Sequence, residues 1–241
     1  MVFLPDGRML VTERPGRLRA VTRDGRAMAP VQNVPAVHTR GQGGLLDVAL
    51  DPDFAANRMV YLSYAEPGPE GTASTAAARG QLNQAATALD SVTVIFRQEP
   101  KVSGDNHFGS RLAFAPDGTL FITTGERFKF EPAQDLSGHL GTIVRINRDG
   151  SIPTDNRFVG RQGARPEIWS YGHRNVQGAA IAPRTGTLWA HEMGRAAAIS
   201  HRPGAIMVGR WSVRGGITMA GPFQTPPPVR ISPQRCINGR R

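Results

Sequence analysis

The chain has 241 residues, of which 39% are hydrophobic and 7% aromatic, and its formal net charge is +10. This length can bury a substantial core, no stretch approaches the roughly 18 consecutive apolar residues of a membrane span, and a single cysteine, Cys236, excludes an internal disulfide. Eight of the 29 Lys and Arg residues follow Gly194, where there is no Asp or Glu, so the charge does not indicate a nucleic-acid-binding face on a folded domain.

One sequence motif occurs four times with variations. Each copy ends an apolar strand, passes through a proline-containing turn, usually with Asp or Gly, and begins a second apolar strand. Proline fixes φ at the first turn position, and Gly or Asp allows the tight return. The recurrence, with several short strands in each interval, predicts the blades of a β-propeller. The copies are FLPDGRMLVTER from Phe3, ALDPDFAANRMVYLSY from Ala49, AFAPDGTLFITTGE from Ala113 and AIAPRTGTLWAHE from Ala180.

Further strands are predicted between the repeats. GRLRAVTRDGRAM (from Gly16) and TIVRINRDGSIP (from Thr142) each predict a hairpin that turns at Asp-Gly, and SVTVIFRQEP (from Ser91) predicts a strand. Residues 72–90 are rich in alanine but have weak helical periodicity, so we predict a long connection between strands there. The chain to Gly194 is therefore predicted to be all-β, with about three and a half blades.

This number of blades is smaller than the roughly four to eight that close a propeller ring, so the chain either closes by association or is incomplete. Met1 runs directly into a strand with no secretory signal before it. We predict an incomplete propeller over residues 1–194 and a basic segment over residues 195–241. The second segment contains three consecutive prolines and lacks strand alternation, which is typical of a disordered arm.

Polar residues collect in three loops, each just before the first strand of a repeat. The loops are residues 40–44, 104–111 and 171–178. Equivalent positions in radially arranged blades converge on one end of the central channel, so we expect Gln42, His107, Arg174 and Asn175 to lie around one axis.

These residue types predict a general base beside a site for a planar, carboxylated ligand. An imidazole accepts a proton near neutral pH, a guanidinium binds carboxylates through a planar fork, and amides pair with carbonyls and hydroxyls. A histidine in a glycine-rich loop is more often structural, as we expect for His173 and His191, and Arg-Asn pairs commonly hold loops in place. The coincidence of three loops favours the functional interpretation, with His107 as the base.

In these segments the chain resembles the soluble aldose sugar dehydrogenases that depend on pyrroloquinoline quinone (PQQ), the glucose/sorbosone dehydrogenase family of six-bladed propellers. The resemblance implies that His107 takes the proton of the sugar hydroxyl while hydride passes to the quinone. It also implies that Gln42, Arg174 and Asn175 contact the cofactor, with Glu126 among them as the acidic partner of the base. It covers residues 1–194 and is carried by GQGGLLDVALDPDF, DNHFGSRLAFAPDGTLFITTGER, LGTIVRINRDGSIP and SYGHRNVQG.

The resemblance further implies oxidation of aldoses at the anomeric carbon to lactones, an external electron acceptor, and a periplasmic or secreted location. A calcium ion holds and polarises the quinone in the family. Its ligands come mainly after the HEMG segment, so we assign no metal ligand in this chain. Each lost charged contact costs about 1.5–3 kcal/mol, and the chain is therefore predicted to be weakly active or inactive.

After HEMG the chain departs from the family, whose members continue with Pro-Arg-Gly-Gly-Asp and then Gly-Arg-Asn-Tyr-Gly-Trp-Pro. Joining the third base of each codon to the next two turns Met207-Val208 into a glycine codon and permits Asn-Tyr-Gly-Trp-Pro across residues 205–210. We hypothesise that residues 195–241 are translated out of frame, with a genuine disordered arm as the alternative. Coding DNA whose shifted frame lacks this family sequence would contradict the hypothesis.

Two other function classes are compatible with a propeller. A non-catalytic propeller that binds sugar or protein partners through the same face would keep its ligand after loss of His107. A calcium-dependent lactone hydrolase would need several acidic and Asn metal ligands around the channel, where these loops offer Arg and Gln.

Overall fold

A computed structural model of the chain describes residues 1–192 and 199–201. The described residues form four antiparallel sheets. The first contains β1 (Val2–Phe3), β2 (Met9–Glu13), β3 (Arg17–Val21) and β4 (Ala27–Pro30). The second contains β5 (Leu45–Leu50), β6 (Met59–Pro67), β7 (Ala73–Leu82) and β8 (Leu89–Arg97). The third contains β9 (Leu112–Phe114), β10 (Leu120–Thr123), β11 (Thr142–Ile146) and β12 (Ile168–Tyr171), and the fourth contains β13 (Val176–Ile181), β14 (Leu188–Glu192) and β15 (Ile199–His201).

Within every sheet the strands are paired in sequence order. The repeated sequence motif forms the first hairpin of each sheet: β1–β2, β5–β6, β9–β10 and β13–β14. The helical content is small: α1 (Phe54–Asn57) and two 3-10 turns, Pro69–Gly71 and Glu131–Gln134. The prediction of an all-β partial propeller is confirmed.

The core consists of apolar layers between consecutive sheets. Because side chains alternate between the two faces of a strand, one strand can contribute to the layers on both sides of its sheet. On β6, Val60 and Leu62 face the first sheet, whereas Tyr61 packs with residues of the third sheet. On β10, Ile122 faces the second sheet and Phe121 the fourth. Each central sheet thus buries both of its faces, and the first strands β5, β9 and β13 lie next to one another. This radial succession of sheets brings the loops before these strands together.

The prediction of a long connection over residues 72–90 is wrong, because β7 and the start of β8 lie there. β7 is the third strand of its sheet, and Ala76 and Ala77 are both fully buried on opposite faces. A strand buried on both faces shows no apolar alternation, and its alanines gave no strand signal.

The second predicted hairpin, in TIVRINRDGSIP, is only half formed. β11 and the turn are present, with the Gly150 N–H donating to the Asn147 carbonyl at 3.0 Å. Residues 151–153 do not form a strand; instead β12 pairs with β11 on the side not taken by β10. Pro153 has no N–H to give to a ladder, which explains why the strand does not continue.

The predicted basic segment, residues 195–241, lies outside the described residues except for β15. Among the described residues, no helix is both long and apolar enough to span a membrane.

Candidate active site

The structure brings the three glycine-rich loops into direct contact. Gln42 connects the first two, because its N–H donates to the Asp105 carbonyl at 2.7 Å and its Oε1 accepts the His107 N–H at 2.9 Å. Asn175 connects the second and third, because its Oδ1 accepts the Gly109 N–H at 2.9 Å. Residues far apart in sequence therefore fix the backbone on both sides of His107.

His107 forms a buried hydrogen bond with Glu126, which follows β10. The imidazole Nδ1 contacts Glu126 Oε1, and the side chains are 5% and 0% exposed. A carboxylate can only accept, so Nδ1 carries the hydrogen and the neutral ring keeps its lone pair on Nε2. This arrangement gives an oriented base.

Glu126 also organises its surroundings through other atoms. Its Oε2 accepts the Phe130 N–H at 2.8 Å, and its own N–H donates to the Arg174 carbonyl at 2.9 Å. Arg174 therefore joins the cluster through its main chain, and its residue is only partly buried.

Glu192, in the HEMG segment on β14, supports the third loop. Its Oε2 accepts the N–H of Arg174 at 2.7 Å and that of Asn175 at 3.4 Å, and Oε1 lies 3.9 Å from His173 Nδ1. His173 is buried and also contacts Ser170 through Nε2, at 2.9 Å. His191 is exposed on β14. Sequence reasoning used HEMG only as a landmark and missed the role of Glu192.

Arg127 is the second residue that sequence reasoning missed. Its side chain is fully buried and donates to three main-chain carbonyls: Nε to Asn106 at 2.8 Å, and the terminal nitrogens to Ala73 and Gly104. The guanidinium lies 3.6 Å from the centroid of the Phe108 ring. Burial lowers the pKa of Arg127 to about 10, so it remains charged at neutral pH. It fixes the loop that carries His107.

The side chain of Asp105 forms a second link between the first two loops. His38 Nε2 contacts Asp105 Oδ1 at 2.9 Å, and Arg40 lies 3.3 Å from Oδ2. The hydrogen bond from His38, with help from Arg40, holds the pKa of Asp105 below its usual value. The Asp105 carboxylate therefore stays charged and keeps the two loops joined.

Comparison with known proteins gives a match to the family model described as Glucose / Sorbosone dehydrogenase, over residues 1–198. The chain is 47% identical over 195 residues to aldose sugar dehydrogenase YliI of Escherichia coli K12, covering 80% of this chain and 53% of the relative. The chain belongs to the glucose/sorbosone dehydrogenase family. It spans about half the length of this curated relative.

Solved structures agree with this assignment. A glucose dehydrogenase crystal structure superposes with a TM-score of 0.81 at 48% identity, covering 84% of this chain and 59% of that one. The PQQ-bound form of aldose sugar dehydrogenase from Streptomyces coelicolor superposes with a TM-score of 0.72 at 31% identity, again covering 84% and 59%.

One buried side-chain donor at the site is left without an acceptor among the described residues. Asn175 is fully buried, and its Nδ2 has no hydrogen-bond acceptor among the described residues. A buried amide N–H without a partner costs free energy, and a ligand oxygen would satisfy it. The quinone and carboxylate oxygens of PQQ are acceptors of this kind. Metal ligation has no such support: within residues 1–192, no three His, Cys, Asp or Glu side chains are grouped to hold a metal ion.

Gly125 allows the loop that carries His107 to approach closely. Replacing Gly125 tests this packing. A Cβ at Gly125 would lie 2.1 Å from the His107 carbonyl oxygen, so we expect Gly125→Ala to displace His107 and break its hydrogen bond to Glu126. In the ¹⁵N spectrum of histidine-labelled protein, the His107 signals of the parent should show the Nδ1–H form, and the variant should lose this signature.

Gly160→Ala is the matched control. Gly160 has φ +76° but no atom within 4 Å of its added Cβ, so the control carries about 1–2 kcal/mol of backbone strain without a clash. It should leave the His107 signals unchanged. Identical His107 signals in the parent and in Gly125→Ala would contradict the described packing.

We expect Glu192 to make a pH-dependent contribution to the free energy of unfolding. Burial alone would raise its pKa, but the interaction with the nearby His173 ring and the hydrogen bonds donated by the N–H groups of Arg174 and Asn175 outweigh burial and lower the pKa of Glu192 below 4.5. The unfolded chain therefore binds this proton more tightly, so the stabilisation is present above about pH 4.5 and is lost as the pH falls through the folded value. The stability difference between the parent and Glu192→Gln, measured by urea unfolding, should be larger at pH 7 than at acid pH.

The control is Glu70→Gln, at an exposed position. It should leave the pH profile of the parent unchanged. A parent–Glu192→Gln difference that stays constant with pH would show that the Glu192 carboxylate does not have this role.

Proposed function

We propose that this chain binds PQQ and oxidises aldoses at C1 to lactones, with His107 as the base. The observation that carries the proposal is the buried His107–Glu126 pair, which the Gln42 and Asn175 amides enclose by binding the backbone on each side. Family membership supports it, because a relative of known structure is described as the PQQ-bound form of an aldose sugar dehydrogenase.

The residues of the chain have distinct tasks in this proposal. His107 Nε2 removes the proton of the anomeric hydroxyl, and the Glu126 carboxylate stabilises the imidazolium that forms. The Asn175 amide would donate through Nδ2 to an oxygen of the cofactor, and Gln42 and Arg174 would hold its other oxygens. When bound, PQQ would supply the acceptor for the hydride that leaves C1, and an external acceptor would then take the two electrons. Loss of this proton and hydride converts the aldose into its lactone.

Calcium belongs to the proposal only as a requirement of the complete family site. The described residues provide no cluster that fits it. We therefore assign it no step. We also propose weak turnover for this chain, because after the HEMG segment its sequence departs from that of the family, where the calcium ligands are expected. A periplasmic or secreted location is proposed from the family alone.

His107→Asn tests the assignment of the base. With PQQ, calcium and glucose but no acceptor, absorbance follows reduction of the cofactor in a single turnover. The variant should reduce it about 10²–10⁴-fold more slowly than the parent, because a general base contributes about this factor. The affinity for PQQ, measured by quenching of tryptophan fluorescence, should change by less than about twofold.

His191→Asn is the matched control, since this histidine is exposed on β14, and it should behave like the parent. Equal single-turnover rates in the parent and in His107→Asn would rule out His107 as the base. PQQ binding without any glucose-dependent reduction in the parent would favour the non-catalytic binding propeller, and robust multiple turnover with a dye acceptor would contradict the weak activity.

A further inference from the structure

Residues 126–130 invert the usual distribution of charged and apolar side chains. Glu126 and Arg127 are 0% and 1% exposed, whereas Phe128 and Phe130 are 51% and 38% exposed. Charged residues are rarely buried and large aromatic residues normally are not exposed to this degree. The loop therefore presents two apolar rings to solvent beside the candidate base.

The two rings lie in a row beside the imidazole of His107. The Phe128 centroid lies 5.0 Å from that of His107, with an interplanar angle of 58°, and the Phe130 centroid lies 5.1 Å from that of Phe128. We call Phe128 and Phe130 the aromatic platform.

The backbone of the platform is held in place by the site. Arg127, Phe128 and Phe130 have φ values of 57°, 61° and 64°, in the left-handed region that non-glycine residues rarely adopt. Such strain persists only where the surroundings enforce it. Here the Glu126 carboxylate accepts the Phe130 N–H at 2.8 Å, and Arg127 is bound to three carbonyls. The exposure of the rings is therefore a fixed feature of the loop.

We propose that the aromatic platform binds the apolar C–H face of the aldose ring, an inference that rests on the proposed function. A sugar whose anomeric hydroxyl reaches His107 Nε2 lies within a few ångströms of the Phe128 ring. Pyranoses carry hydroxyls at their rim and C–H bonds on their faces, and the negative face of an aromatic ring attracts such C–H groups. The carboxylates of the cofactor find no partner on phenylalanine, so the platform suits the sugar better than the cofactor.

Binding of methyl β-D-glucopyranoside to the PQQ-loaded chain tests the platform. This glucoside has the ring faces of glucose but no free anomeric hydroxyl, so it binds without turnover. Saturation-transfer NMR titrations of the parent and of Phe128→Ala should give a Kd about two- to tenfold higher for the variant, the range that aromatic contacts support. Phe128→Tyr, which keeps the ring, should restore the parent Kd. The affinity for PQQ should be the same in all three proteins.

Phe3→Ala is the matched control, because Phe3 is 63% exposed on β1 of the first sheet, and it should change neither affinity. An unchanged glucoside Kd in Phe128→Ala overturns the proposal. A parallel loss of PQQ affinity overturns it too, since the platform would then hold the cofactor. A parent that binds neither PQQ nor glucoside contradicts the proposed function itself, whereas PQQ binding with an unaffected glucoside Kd contradicts only the platform.

Discussion

The carboxylate of Glu126 is the interaction on which the rest of the site depends. It is fully buried, yet one oxygen holds Nδ1 of His107 and the other holds the N–H of Phe130. The N–H of Glu126 also binds the carbonyl of Arg174. A buried carboxylate is tolerated only when hydrogen bonds replace water. These contacts satisfy that requirement, and they also orient the base, the aromatic platform and the third loop from a single residue.

This arrangement requires that neighbouring sheets keep a fixed position relative to one another. Asp47 on β5 accepts the Leu112 N–H of β9 at 3.0 Å, and Thr123 on β10 donates to the Val176 carbonyl of β13 at 2.8 Å. Both side chains are buried, where an unpaired polar group would be costly. The contacts therefore fix how far each sheet is displaced relative to the next, and with it the positions of the loops that carry Gln42, His107 and Asn175.

The sequence predicted the repeating hairpins and the convergence of three loops, because turn chemistry and blade position are local signals. It did not predict β7, because a strand buried on both faces lacks alternation. The hydrogen bonds of Glu192 to the third loop and the burial of Arg127 were also missed. Both depend on where another segment of the chain places its carbonyls or N–H groups, which no local pattern records. Glu126 was found only through family resemblance.

The burial of Arg127 has a cost that the local structure has to offset. Burial shifts the pKa of Arg127 down to about 10, and its hydrogen bonds go to main-chain carbonyls, so attraction to Asp105 and Glu126 restores only part of the lost hydration. Those carbonyls belong to Ala73, Gly104 and Asn106, and the last two precede His107. Arg127 thus holds one particular conformation of the loop that carries His107. The position of this imidazole matters for the proposed reaction, since small displacements of a base lower its rate strongly.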